Sequence, residues 1–142
     1  MIKTIIFDFG GVIHSLGATT DGGDVLNGTS YALMLSFVEE LKGKGYNVYL
    51  LSNTIQPHVD FFRSKGLYDY FDKVFLSNEI GLRKPDVKIY EHVIKDLGIK
   101  AEETLYVDDL EDNLTPAQKL GMGVILAQSP EQIISDVRKM LI

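Results

Sequence analysis

The sequence predicts an α/β fold in which a five-stranded, mostly parallel sheet is covered by helices on both faces. Short apolar segments alternate with longer amphipathic segments along the whole chain. The apolar segments lack a polar face, and several of the amphipathic segments end at a glycine. Strands that are apolar on both faces need helices on both sides of the sheet, and such sheets are usually parallel. The prediction is therefore a doubly wound, Rossmann-like domain.

The five predicted strands are short and rich in β-branched and aromatic residues. They are "IKTIIF" (2–7), "YNVYLLS" (46–52), "KVFLS" (73–77), "TLYVD" (104–108) and "MGVILA" (122–127). The five predicted helices are 31–44, 55–66, 85–98, 111–121 and 129–142. In the first of them, apolar residues recur at helical spacing opposite a charged face, and Gly45 ends it. Pro85 and Gly98 mark the beginning and end of the third.

Length and composition limit what the protein can do. The chain has 142 residues, which suits one domain spanning 1–142. Its net charge of −6 argues against nucleic acid and anionic membranes as partners. The absence of cysteine excludes disulfides and thiolate metal sites. Because the sequence has neither a signal peptide nor a membrane-length apolar run, we expect a cytoplasmic protein.

Polar residues follow four of the five predicted strands. Asp8 follows the first, Ser52 to Thr54 the second, Arg83 and Lys84 the third, and Asp108 and Asp109 the fourth. Ligands of open parallel sheets bind at this carboxyl edge. Each group also has an ordinary structural explanation as a helix cap or a solvated loop. Asp8 fits those explanations least well, because a carboxylate that ends a buried strand is costly without a cation beside it.

Together these residues favour phosphoryl transfer through an aspartyl-phosphate. Asp8 would attack phosphorus and divide one difficult displacement into two easier ones. Asp8 and Asp109, with Asp108 as a further candidate, form an oxygen cluster suited to Mg²⁺. Lys84 would offset charge on the phosphoryl oxygens, which Ser52 and Asn53 would hold. The glycine pair at 10–11 would let the backbone turn sharply, with Gly11 approaching the phosphate.

Four segments carry a resemblance to a known family: "FDFGGVI", "LLSNT", "GLRKPDVKIY" and "VDDLEDN…GMGVILA". In this order they resemble the motifs of the haloacid dehalogenase superfamily, and especially its branch of phosphoglycolate and sugar-phosphate phosphatases. The resemblance implies that Asp8 is the nucleophile and Lys84 the phosphate clamp. It implies Mg²⁺ bound by Asp8, the Gly10 carbonyl and Asp109, with Asp108 beside them. Asn113, or Asp112 in its place, would support this metal site.

Gly10 is the first departure from that family pattern. Phosphatases of the superfamily usually carry an aspartate two residues after the nucleophile, which protonates the leaving oxygen and later activates water. Glycine can do neither, although some sugar-phosphate phosphatases that resemble "DLGNV" here share it. The candidates to replace that acid are His14, Asp21 and Asp24, while His58 and His92 are expected at the surface, away from the site.

The second departure is the absence of a cap. Only the tract 14–29 and Ser30 separate Ile13 from the next helix, where this branch usually carries a helical cap. This tract is either a short flap, with a hairpin turn at 21–23, or a linker left by removal of a cap. An open site would accept a phosphorylated small molecule or a phosphate on a larger partner, or would be closed by a second subunit in a homodimer.

Two alternative functions remain open. A non-catalytic or weakly active phosphate- or partner-binding module would explain both Gly10 and the missing cap. A phospho-acceptor signalling domain uses similar residue types, but its acid pair follows the first strand. Here the pair at 108–109 follows the fourth strand, which argues against that alternative.

Overall fold

The structure is a computed structural model that describes residues 1–15 and 28–142. Its centre is a five-stranded sheet with the order β3-β2-β1-β4-β5. The strands are β1 (Thr4–Phe7), β2 (Asn47–Ser52), β3 (Lys73–Leu76), β4 (Thr104–Asp108) and β5 (Gly123–Leu126). All four neighbouring pairs are parallel. The predicted fold class is confirmed, and the described sheet is parallel throughout.

Helices follow the strands as the sequence predicts. They are α1 (Ala32–Gly43), α2 (Gln56–Ser64), α3 (Ser77–Ile80), α4 (Val87–Leu97), α5 (Glu111–Lys119) and α6 (Pro130–Met140). Within the described ranges, two short 3₁₀ helices, Leu67–Tyr70 and Ala101–Glu103, lie in the connections. The sequence missed α3 because one turn is too short to show helical periodicity. Within the two described ranges, none of the helices is both long and apolar enough to cross a bilayer.

The sheet separates two hydrophobic cores. Ile5 and Phe7 of β1 face the core that contains buried residues of α1, α2 and α6. Ile6, between them, faces the other core with buried residues of α4 and α5. All three side chains are at most 1 % exposed. This alternation explains why the β1 sequence is apolar at every position rather than at every second one.

The parallel register brings the ends of three strands to the same edge of the sheet. Phe7 of β1 pairs with Leu50 of β2 on one side and with Val107 of β4 on the other. The residues that follow these positions therefore emerge side by side, with Asp8 between the ends of β2 and β4. The fold thus places the carboxylates of β1 and β4 together, as the sequence predicts.

The two described ends of the tract 14–29 lie side by side. The Ser15 amide donates to Thr29 O at 2.8 Å, and the Tyr31 amide donates to Ile13 O at 2.8 Å. An antiparallel bridge joins His14 and Ser30 between them. The predicted hairpin turn at 21–23 lies outside the described residues, so the choice between flap and linker within 14–29 stays a prediction.

Candidate active site

Lys84 is the centre of a buried polar cluster at the carboxyl edge of the sheet. Its ammonium nitrogen lies 2.9 Å from Asp8 Oδ1 and from Asp108 Oδ2, and 3.0 Å from Leu51 O and from the Tyr106 hydroxyl, so its three hydrogens are shared among four acceptors. The residue is only 2 % exposed. Burial lowers the pKa of Lys84, but the two carboxylates more than offset it, and the pKa is raised overall. The explanation of Lys84 as a solvated loop residue is therefore wrong.

The side chain of Asn53 forms two hydrogen bonds with the backbone of Lys84. Its side-chain amide donates to Lys84 O at 2.9 Å, and its carbonyl oxygen accepts from the Lys84 amide at 2.9 Å. One amide hydrogen of Asn53 is left for a ligand, because the primary amide carries two. Asn53 therefore positions the lysine from the end of β2, in addition to its predicted role toward phosphate. Ser52, 5 % exposed, ends the same strand beside it.

Asp108 is the most buried carboxylate of the cluster and is 0 % exposed. Besides Lys84, its Oδ2 accepts from the Tyr106 hydroxyl, and its Oδ1 accepts from the Leu110 amide at 3.0 Å. The Asn113 amide nitrogen lies 3.3 and 3.4 Å from its two oxygens. Burial raises the pKa of Asp108, but Lys84 and these donors outweigh it, and the pKa is lowered. Asp108 is therefore an ionised anchor for Lys84.

Asp8, Asp108 and Asp109 form a site of the kind that holds a divalent cation. One carboxylate oxygen from each lies within 4.8 Å of the others. Burial, opposed by Lys84, raises the pKa of Asp8 to about 8, and burial also raises the pKa of Asp109. A hard cation such as Mg²⁺ fits this set of oxygen donors and would relieve the repulsion among the three groups. Asp8 and Asp109 also line the adjacent cavity.

Gly11 makes room for Asp109. Its φ is +77°, and a Cβ added there would overlap the Asp109 carboxylate. Its amide donates to His14 O at 2.8 Å, so the structure supports a steric role, and its phosphate-binding role stays a prediction. Gly10 is different, because it is not among the described glycines with positive φ. The backbone at Gly10 therefore does not demand glycine.

A cavity of about 270 Å³ opens over these groups. It is lined by six of the predicted site residues, namely Asp8, Gly10, Ser52, Asn53, Lys84 and Asp109, and by Phe9, Thr54, His58, Phe62, Leu110 and Asn113. The fold therefore brings predicted site residues from four separate segments of the sequence into one cavity. Asn113 is 6 % exposed and touches Asp108, whereas Asp112 is exposed, so Asn113 takes the supporting position.

The structure corrects the prediction for one residue and adds another. His58 was expected away from the site, but it lines the cavity. Its position three residues into the helix that follows β2 could have indicated this, because the first turn of such a helix lies at the carboxyl edge. His14, a candidate for the missing acid, is buried with its ring stacked 5.5 Å from Phe9, and it is not among the described residues that line the cavity. Tyr106 was missed, although it shares a strand face with Asp108, two residues later.

The chain also matches a known protein family. Residues 25–121 match the family of haloacid dehalogenase-like hydrolases. The chain belongs to this family. It is 43 % identical over 102 residues to a sesquiterpene phosphatase of Aspergillus oryzae, covering 69 % of this chain and 51 % of the relative. It is also 43 % identical over 86 residues to a D-ribitol-5-phosphate phosphatase of Bacteroides thetaiotaomicron, covering 55 % of this chain and 41 % of the relative.

Solved structures agree with this assignment. A HAD-family enzyme of Bacteroides thetaiotaomicron, an aspartate-to-alanine variant with magnesium and inorganic phosphate, superimposes with a TM-score of 0.78 at 25 % identity. The match covers 91 % of this chain and 96 % of that one. A HAD-like hydrolase of Porphyromonas gingivalis shares the fold with a TM-score of 0.82 at 22 % identity, covering 99 % and 98 % of the two chains. The chain spans about half the length, or less, of the curated relatives described above.

Proposed function

We propose that this protein is a Mg²⁺-dependent phosphatase that hydrolyses phosphomonoesters through an aspartyl-phosphate on Asp8. The observation that carries the proposal is the buried ammonium of Lys84, held between Asp8 and Asp108 beside the cavity. A nucleophilic carboxylate needs a nearby cation to approach a phosphate dianion, because the two anions repel each other. The named phosphatases among the relatives support the same reaction class.

Each residue has a role that follows from its contacts. Asp8, with its second oxygen free of Lys84, forms the bond to phosphorus, and the leaving oxygen departs on the opposite side. Lys84 neutralises charge that develops on the phosphoryl oxygens. Ser52 and Asn53 orient those oxygens from the end of β2. Asp108 and Asn53 hold Lys84 in place, one through its ammonium and the other through its backbone.

The metal would be held by Asp8, the carbonyl of Gly10 and Asp109, with Asp108 beside them. When bound, Mg²⁺ would neutralise negative charge on the nucleophile and the phosphate and hold them together. Gly11 contributes by leaving space for the Asp109 carboxylate. Asp8 and Asp109 are the stronger candidates, because they line the cavity, whereas both Asp108 oxygens already accept hydrogen bonds.

The proposed substrate is a phosphorylated small molecule. The relatives named above act on a terpenoid phosphate and a sugar-alcohol phosphate by their names, and both are phosphomonoesters of alcohols. The cavity of about 270 Å³ accommodates a phosphoryl group with a small part of its alcohol. The remainder of the substrate would be covered by the tract 14–29 or by a second subunit; the alternative substrate is a phosphate group on the surface of a larger partner.

A non-catalytic binding module is the second candidate, and Gly10 is the observation that favours it. The two candidates make different predictions for an activated substrate, because a nitrophenolate leaves without needing a proton. We expect Mg²⁺-dependent hydrolysis of 4-nitrophenyl phosphate that is abolished by EDTA and absent in Asp8→Asn. Phosphate binding without hydrolysis in the wild-type protein would favour the binding module instead.

A further inference from the structure

Proton transfer to the leaving group has no obvious agent in this site. Gly10 occupies the position from which phosphatases that resemble this chain supply a carboxyl group. Among the described residues that line the cavity, Lys84 already has four acceptors around its ammonium. Asp8 and Asp109 are the proposed nucleophile and metal ligand. The hydroxyl and amide side chains are too weakly acidic to protonate an alkoxide near neutral pH.

His58 is the cavity residue that remains. Imidazole can give up and take up a proton near neutral pH more readily than any other ordinary side chain. His58 lies in the first turn of α2, where its backbone amide donates to Ile55 O at 3.1 Å. This turn begins a few residues after the end of β2, so it lies beside the Ser52 and Asn53 side chains. The His58 side chain is half-buried and lines the cavity with Asp8 and Gly10.

The His58 ring is also available for such a role. No hydrogen bond or ring contact joins its imidazole to any residue in the part of the chain that the structure describes. Phe62, one turn further along α2, is 1 % exposed and lines the same cavity, so this side of the site is partly apolar. The titratable groups that share the cavity with His58 are Asp8, Lys84 and Asp109. Asp60 on the same helix is engaged by Gln56 at 2.8 Å.

The other two of the three histidines occupy different surroundings. His14 is 3 % exposed, stacks on Phe9, and has its Nδ1 3.1 Å from Ser30 Oγ. His92 is exposed on α4, with its ring edge-on to Phe75 at 6.2 Å. His14 therefore belongs to the buried junction where residues 13–15 meet residues 29–31, and His92 to the outer surface. Neither lies among the described residues that line the cavity.

We infer that His58 is the general acid and base of this site, in place of the carboxyl group that Gly10 lacks. In the first step, an Asp8 oxygen bonds to phosphorus and the bond from phosphorus to the leaving oxygen breaks. That oxygen keeps the electron pair and takes a proton from the His58 imidazolium, so it departs as an alcohol. In the second step, neutral His58 takes a proton from water, which attacks phosphorus and releases inorganic phosphate and the Asp8 carboxylate.

This inference rests on the proposed phosphatase function, and the experiment separates the two. The kcat/KM values for glycerol phosphate, an alkyl ester, and for 4-nitrophenyl phosphate are measured in wild type, His58→Gln and His92→Gln. A general acid contributes roughly 10²- to 10⁴-fold, and only the alkyl leaving group needs it. His58→Gln should therefore lose that factor with the alkyl ester and less than about tenfold with the aryl ester. His92→Gln should match wild type with both.

A second readout follows the covalent step. If His58 also activates water, His58→Gln should accumulate phosphorylated protein during turnover of 4-nitrophenyl phosphate, seen as added phosphoryl mass after acid quenching. An equal loss on both esters, or no loss on either, would overturn the inference while leaving the phosphatase function intact. Absence of hydrolysis in wild type would instead overturn the proposed function. If His58→Gln does not fold by circular dichroism, His58→Asn provides the same comparison.

Discussion

Replacing Lys84 by methionine removes the ammonium that separates Asp8 from Asp108 while keeping an unbranched side chain of similar length. Both carboxylates lie 2.9 Å from that ammonium. The Lys84 side chain is 1 % exposed, and the carboxylate side chains are 11 % and 0 % exposed. Asp108 is fully buried, so water cannot replace its lost partner without opening the core. The variant therefore leaves Asp108 without its cation and Asp8 without the ammonium that opposes its burial, and the fold is expected to lose stability.

The expected loss is large for one side chain. Removing one partner of a buried ion pair costs about 3–5 kcal/mol. For a chain of this length, a loss of that size lowers the melting temperature by roughly 10–17 °C. Lys73→Met is the matched control, because Lys73 also pairs with an aspartate, Asp96, but its side chain is 50 % exposed. Exposed pairs contribute little, so the control should melt close to wild type.

The pH dependence of this loss has a definite sign. The pKa of Asp8 is raised to about 8 by burial, above the ordinary value near 3.9 of an unfolded chain. Folded Asp8 thus keeps a proton that the unfolded chain has lost, and its contribution to the free energy of unfolding falls as pH rises from about 4 to 8. Without Lys84, the ammonium that lowers the pKa of Asp108 is also lost, so a second folded carboxyl group retains a proton and the total fall is steeper. The difference between Lys84→Met and wild type should therefore be smaller at pH 5 than at pH 8.

Urea unfolding in EDTA, followed by circular dichroism at both pH values, measures these quantities. The two lysine variants are compared with wild type at the same protein concentration. A loss in Lys84→Met no larger than that in Lys73→Met would refute the reasoning, because it would mean that the buried ammonium is not needed by the carboxylates. A difference from wild type that grows toward pH 5 would refute the assigned sign.

Three further substitutions test the metal site and the glycine pair. Mg²⁺ at 100 times its Kd should raise the free energy of unfolding by about 2.7 kcal/mol, and differential scanning fluorimetry should show this rise lost in Asp109→Ala but kept in the exposed neighbour Asp112→Ala. Gly11→Ala should lose about 1–2 kcal/mol for the positive φ alone, and more for the overlap with Asp109, as measured by urea unfolding. Gly43→Ala, in α1 with open space around it, should be neutral or stabilising. In the His58→Gln background, Gly10→Asp should raise kcat/KM for alkyl phosphates more than for aryl phosphates in a leaving-group series, and an equal change on both would argue that a carboxyl group at position 10 does not supply the proton.

Much of the fold was predictable because it depends on local patterns. Strand β4 has the predicted bounds of 104–108, and the ends of β1 and β2 agree with the sequence-based prediction. Runs of apolar residues and the glycines after helices provide these signals directly. The parallel direction of the strands then follows from the helices that connect them, because parallel strands need a long crossover connection. The strand assignments also allowed us to predict which polar residues lie together at the carboxyl edge of the sheet.

The missed features depend on contacts between distant segments. The burial of Lys84 requires Asn53, 31 positions earlier, to hold its backbone from β2. The sequence of a loop does not show that contact, so the sequence alone does not predict that Lys84 is buried or that it supports the fold. In the sequence, Tyr106 resembles an ordinary strand residue. In the structure, its hydroxyl donates to Asp108 and accepts from Lys84. The direction of the His58 side chain depends on how α2 is rotated against the sheet, and that rotation depends on contacts between segments that are distant in the sequence.

Covalent phosphorylation of Asp8 is the most direct test of the proposed mechanism. The protein is mixed with Mg²⁺ and 4-nitrophenyl phosphate, quenched in acid within milliseconds to seconds, digested and mapped by mass spectrometry. We predict one added phosphoryl group on the peptide that contains Asp8, appearing before steady state and absent from Asp8→Asn. Steady hydrolysis with no phosphorylated Asp8 at any quench time, or undiminished hydrolysis by Asp8→Asn, would contradict the mechanism.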